Sequence, residues 1–154
     1  MAPMYLYGST LPQPGKSYAI HEYSVYEDFQ GQKGSSNALT VSNTDVMIQK
    51  WEWQPTQEWE CVEKDGWLGF ICRASTAGKR GAYLGYNAKE YLVCTAQYQD
   101  KWEHFLVEGV DGGNQGYWLK MRKEDHLAFV GIVEHHWTKM LRDPTTKWGF
   151  TEWT

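Results

Sequence analysis

Cysteine, basic charge and long apolar runs are all scarce in this sequence, and each scarcity excludes a class of protein. The three cysteines (Cys61, Cys72, Cys94) are odd in number and their spacings match no zinc site. They fit a reducing, intracellular setting, where a cysteine in a strand serves as a small buried hydrophobe. Fifteen Lys and Arg stand against nineteen Asp and Glu, a formal charge of −4. That balance gives no support to a cationic groove for nucleic acid or to attraction by anionic membrane surfaces. No apolar run approaches the roughly 20 residues that cross a bilayer. Residues 1–8 lack the basic region and the sustained apolar core of a secretory signal, so a cytoplasmic location is expected. No Gly-rich string matches a phosphate or dinucleotide loop. Asp111-Gly112-Gly113-Asn114 is acidic and joins two strands, which makes it a turn, and no cofactor is expected. Helical periodicity bounded by caps is also missing.

Aromatics, in contrast, are abundant, with nine Trp and ten Tyr in 154 residues. Several of them recur at a fixed interval. Trp59-Glu60-Cys61-Val62, Trp102-Glu103-His104-Phe105 and Trp148-Gly149-Phe150-Thr151 place a tryptophan 43 and then 46 residues further on. Aromatic-led strands begin at Tyr18, Trp67 and Tyr117, offset by 49 and 50 residues. Two markers with nearly the same period predict an internal repeat. The units are residues 17–63, 64–113 and 114–154, with residues 1–16 as an extended N-terminal tail rich in Pro and Gly.

Period-two patterning and turn residues predict four strands in each unit. They cover residues 18–22, 38–41, 46–49 and 58–62, then 66–72, 83–86, 91–96 and the stretch led by Trp102. The last four cover 117–121, 127–131, 138–141 and 148–150. A long connection, residues 23–36, separates the first two strands. Twelve short strands in three groups of four, each unit about 45 residues long, predict an all-β fold, the β-trefoil, as a single domain. Closing the strands into a barrel removes exposed edges, and no four-strand unit can bury its apolar face alone. Trp102 has one more residue before its next core position than the other two tryptophans. A β-bulge at His104 is therefore expected.

The string from Trp59 to Phe70 resembles the core of fungal fascin-like β-trefoil proteins, of the actin-crosslinking superfamily. Tyr83-Leu84-Gly85, Leu92-Val93-Cys94-Thr95-Ala96, Trp102-Glu103 and Gly116-Tyr117 extend the resemblance over residues 59–120. It implies the trefoil fold but no single activity. A more distant likeness is to ricin-type lectins, which carry Q-x-W at each repeat end. Gln57-Glu58-Trp59 fits that pattern, whereas the other two units have lost the Gln. Those lectins hold sugar hydroxyls with an Asp after a Leu in the second strand. The matching positions here are Thr40, Gly85 and Ala128, none of them a carboxylate. Sugar binding would have to use other positions, which variable trefoil loops allow.

Candidate chemistry is confined to a few residues. Glu134-His135-His136 alternates faces if extended, so no metal site is expected. His104, Glu103, His135 and His136 are the acid–base candidates, His104 because of the expected bulge. Trp51, Trp53, Tyr23, Tyr26 and Trp137 fall outside the repeating core positions. They are the candidates for a ligand-stacking platform. The leading expectation is a non-catalytic module that binds a carbohydrate or glycoprotein through exposed aromatics. The alternative is a cofactor-free isomerase, dehydratase or cyclase acting on a small hydrophobic metabolite. A module that binds the cytoskeleton or another protein partner is third.

Overall fold

Why twelve short strands, each with one apolar face, can bury those faces is answered by their pairing. The computed structural model describes residues 10–23 and 37–153. In order the strands are β1 (Ser17–Glu22), β2 (Asn37–Ser42), β3 (Asp45–Lys50), β4 (Trp59–Lys64), β5 (Trp67–Cys72) and β6 (Ala82–Tyr86). They continue as β7 (Leu92–Ala96), β8 (Phe105–Gly109), β9 (Tyr117–Lys123), β10 (His126–Val133), β11 (Trp137–Leu141) and β12 (Trp148–Glu152). Six of them close a ring. β1 pairs with β4, β4 with β5, β5 with β8, β8 with β9, β9 with β12, and β12 returns to β1, always antiparallel. The other six form the hairpins β2–β3, β6–β7 and β10–β11. These hairpins also meet one another, at Asp45↔Val93, Trp137↔Met47 and Tyr91↔Lys139. The fold is a β-trefoil, as the strand count predicts.

Alternate residues of the ring strands point inward and fill it. Phe70 meets Phe105 edge-on at 5.4 Å and stacks on Phe150 at 6.1 Å, and Tyr117 meets Phe150 edge-on at 5.8 Å. Trp59 and Trp148 are fully buried, and each tethers a hairpin to the ring. Trp59 Nε1 donates to the Leu39 carbonyl at 3.1 Å, and Trp148 Nε1 to the Val130 carbonyl at 3.0 Å. Residues 10–16 are strapped to β4, because Gly15 N donates to the Cys61 carbonyl and Cys61 N to the Lys16 carbonyl. Among the described residues, no helix is long and apolar enough to cross a membrane. The 23–36 connection, apart from Tyr23, lies outside the described residues.

The structure corrects the assignment of Trp102. Tyr18 pairs with Trp59 and Tyr117 with Trp148, and the like pairing in the middle of the chain is Leu68 with Phe105. Phe105, not Trp102, is thus the buried partner of the other two tryptophans. Trp102 belongs to a 3-10 turn, Lys101–Glu103, and is 45% exposed. The expected bulge at His104 is absent, since β8 pairs with β9 in unbroken register from Phe105 onward. The register shift lies in the β6–β7 hairpin instead, between Tyr83 and Leu84.

Candidate functional site

The Lys101–Glu103 turn is set by its own sequence. Asp100 caps it: its Oδ1 accepts Lys101 N at 2.8 Å, while Glu103 Oε1 accepts Asp100 N at 3.0 Å. The turn presents Trp102 outward. One face of the indole lies on Tyr86, with ring centroids 4.9 Å apart and planes 20° from parallel. Tyr86 is itself buried and held by a bond from its hydroxyl to the Arg122 carbonyl at 3.2 Å. Trp102 is therefore a braced aromatic surface and not a loose side chain. Beside it opens a cleft of ≈ 430 Å³ lined by Asp100, Lys101, Trp102 and Glu103.

Glu103 adds a buried carboxyl to this cleft. It is the last residue of its 3-10 turn, as Gln57 is of the corresponding turn in the first unit, Pro55–Gln57. Gln57 is buried and well matched. Its Nε2 donates to Thr40 Oγ1 and to the Lys50 carbonyl, and its Oε1 accepts from Glu52 N and Gln54 N. At Glu103 the facing residue is Gly85 instead of Thr40, which supplies no side-chain partner but leaves room for the carboxyl. Burial, reinforced by the charge of Asp100, pushes the Glu103 carboxyl up to about 7 despite the bond from Asp100 N. A ligand hydroxyl reaching this carboxyl finds an acceptor when it is ionised and a donor when it is protonated.

His104 points away from that cleft. Glu103 faces β6, whereas the His104 ring stacks on Trp67 of β5 at 5.3 Å and 10°. Its Nδ1 lies 3.1 Å from Arg122 Nη1. A guanidinium only donates, so Nδ1 accepts and the imidazole is neutral; burial and then the Arg122 charge lower its pKa. Arg122 also lies over Trp67, 5.2 Å from the ring centroid. The adjacent acid–base candidates are thus held in separate environments and do not form a pair.

The other candidates are dispersed. His135 and His136 are exposed on the β10–β11 turn, where Glu134 and His135 both have positive φ. Trp137 is half-buried and pairs with Met47 where the hairpins meet. Tyr23 packs on the 111–116 turn and donates its hydroxyl to the Asn114 carbonyl at 2.9 Å. Tyr26 lies outside the described residues. Trp51 is 4% exposed, with His21 stacked on it at 4.5 Å and Trp53 against it at 4.8 Å. Trp53 in turn meets Trp153 at 4.9 Å. Those indoles cover Ala19 and Ala38 on the outside of the ring, so Trp51 packs and offers no open face. Burial pushes the thiols of Cys61 and Cys94 up to about 12, which leaves both un-ionised at neutral pH.

Comparison with solved structures decides the fold relationship. A ricin B-like lectin of Macrolepiota procera, solved in complex with lactose, superposes with a TM-score of 0.68. The match covers 92% of this chain and 98% of the lectin at 10% identity. This is the lectin's β-trefoil fold. A designed protein of threefold symmetry, ThreeFoil, matches with a TM-score of 0.61 over 88% of this chain and 97% of its own, at 12% identity. Protein-family models and curated protein sequences give no match.

Trp102 is the residue that sequence reasoning placed wrongly, and Tyr86 and Gly85 are the partners it did not connect to it. The signal was available. Asp100-x-x-Glu103 is a capping-box spacing, which marks a turn and ends any strand that would include Trp102.

Proposed function

We propose that this protein is a non-catalytic β-trefoil module that binds carbohydrate, with a sugar ring docked on Trp102. The observation that carries the proposal is the braced, 45% exposed indole of Trp102 next to the buried carboxyl of Glu103. An apolar ring face packs on the indole, and ring hydroxyls exchange hydrogen bonds with Glu103 and Asp100. Glu103 is a carboxylate reached from a turn, in a trefoil whose second-strand position is Gly85. The fungal lectin with this fold was solved with lactose, which supports the sugar class. The fascin-like resemblance spans the same part of the chain, residues 59–120, and three free buried cysteines suit an intracellular glycan receptor. A glycan array tests the reading: at least one glycan binds the wild-type protein, and Trp102→Ala loses that signal. No binding across a broad array, or binding untouched by the substitution, removes it.

One observation favours a second reading. A carboxyl that titrates at about 7 beside an open cleft suits general acid–base chemistry without a cofactor. In that case the protein is an isomerase, dehydratase or cyclase for a small hydrophobic metabolite, with Glu103 moving the proton. Glu103→Gln separates the two, because it abolishes turnover in the second reading while ligand binding survives.

A further inference from the structure

The connection that carries Trp102 also borders a second concavity, of ≈ 480 Å³, whose lining includes Arg73, Lys79, Arg80, Tyr83, Gln97 and Tyr98. Three cations gather there in a chain of net charge −4. Arg73 is engaged: its Nε and Nη2 donate to Glu60 Oε1 at 3.0 and 2.6 Å, and its Nη1 to the Arg80 carbonyl at 3.0 Å. Lys79 and Arg80 are exposed, and among the described residues neither pairs with a carboxylate.

The backbone that presents these two cations is fixed on both sides. Gly81 has φ +87, and a Cβ there would stand 2.3 Å from the Cys72 carbonyl and 2.6 Å from Arg73 Cα. Gly78 closes on Gln97, where a Cβ would stand 2.3 Å from Oε1. Ser75 Oγ donates to the Cys94 carbonyl at 3.0 Å and accepts Ala77 N at 3.3 Å. A turn pinned in this way loses little conformational freedom on binding. Tyr98, 79% exposed, adds a flat aromatic face to the same concavity.

We propose that this concavity is a second glycan subsite, selective for an acidic sugar, a pyranose that carries a carboxylate or a sulfate. The sugar's apolar face packs on Tyr98, and its anionic group takes charge-assisted hydrogen bonds from Lys79 and Arg80. The inference deepens the glycan-binding reading and rests on it, but the residues involved differ from those at Trp102.

Isothermal titration tests it with a heparin hexasaccharide and an oligogalacturonate, at about 50 mM and about 200 mM salt. The hexasaccharide carries sulfate and carboxylate, the oligogalacturonate carboxylate alone, so the pair identifies the anion. The wild-type protein is expected to bind at least one of them. Replacing Lys79 and Arg80 together by Ala weakens binding by about tenfold or more, and Tyr98→Ala also weakens it. Replacing the exposed Lys89 and Lys147 leaves it unchanged, and inorganic sulfate at equal concentration does not compete. The proposal is overturned by no binding of either saccharide, by binding untouched by the Lys79/Arg80 substitution, by equal loss in the Lys89/Lys147 control, or by displacement with sulfate alone. Trp102→Ala separates this proposal from the first. Acidic-sugar binding that survives in that variant supports an independent subsite, and its loss shows that no second subsite exists.

Discussion

A Cβ on Gly85 would stand 2.6 Å from Glu103 Oε2 and 2.8 Å from the Trp102 carbonyl oxygen. Strand β6 and the Lys101–Glu103 turn are therefore in contact through a position that admits only hydrogen. Gly85→Ala is expected to push the turn outward at a cost of about 1–3 kcal/mol, and to weaken ligand binding with it. Urea unfolding and a glycan titration on one sample measure both. Unchanged stability would show that the turn gives way freely.

Glu103 makes neutral pH unfavourable for the fold. Its carboxyl rises from an ordinary 4.5 to about 7 on folding. Stability from this group is complete below 4.5 and is lost as pH rises through about 7. Glu103→Gln installs the neutral isostere that Gln57 already represents. Above that range it is expected to stabilise the protein by on the order of 1 kcal/mol, after allowance for the open side of the cleft. Urea midpoints measured across this range check it, and equal midpoints for variant and wild type at high pH would contradict it.

His21 acts with the opposite sign. It is buried, its Nδ1–H donates to the Glu22 carbonyl at 3.0 Å, and its Nε2 accepts from Thr151 Oγ1 at 2.9 Å. Burial lowers its pKa from 6.5 to about 4. The stability it contributes is present above 6.5 and is lost as pH falls toward 4. His21→Phe, which keeps a ring against Trp51, is expected to flatten the acid limb of the thermal midpoint profile. Combining it with Glu103→Gln separates the two opposing slopes. A profile unchanged by His21→Phe would rule out His21 as the titrating group.

Trp148→Phe probes the hairpin tether. The substitution keeps an aromatic ring but removes the donor to the buried Val130 carbonyl. The expected loss is about 1–3 kcal/mol in chemical unfolding. A neutral result would mean that the carbonyl finds another donor.

Strand positions were legible in the sequence because alternation and turn residues are local signals. All twelve expected strands are present, with ends shifted by a few residues or less, and the trefoil follows from their number and spacing. The aromatic period marked Tyr18, Trp59, Tyr117 and Trp148 as repeat positions, and the structure pairs the first two and the last two. The middle position was misread, because Phe105 fills the buried position while a more conspicuous tryptophan sits three residues earlier. A side chain's type does not reveal which of two nearby positions is buried; the capping box at Asp100 does. Trp51 and Trp53 illustrate the opposite problem. Both stand outside the repeat, and only the folded chain brings His21 and Trp153 over them.

The most direct test follows the nine tryptophan indole signals in ¹H–¹⁵N NMR spectra while the best array glycan is titrated in. The Trp102 indole and the backbone amides of Asp100 to Phe105 are expected to shift together and saturate, with Trp51 and Trp53 unmoved. Shifts confined to Trp51, Trp53 and Trp153, with Trp102 silent, would place the ligand on the outer indole cluster and contradict the site proposed here.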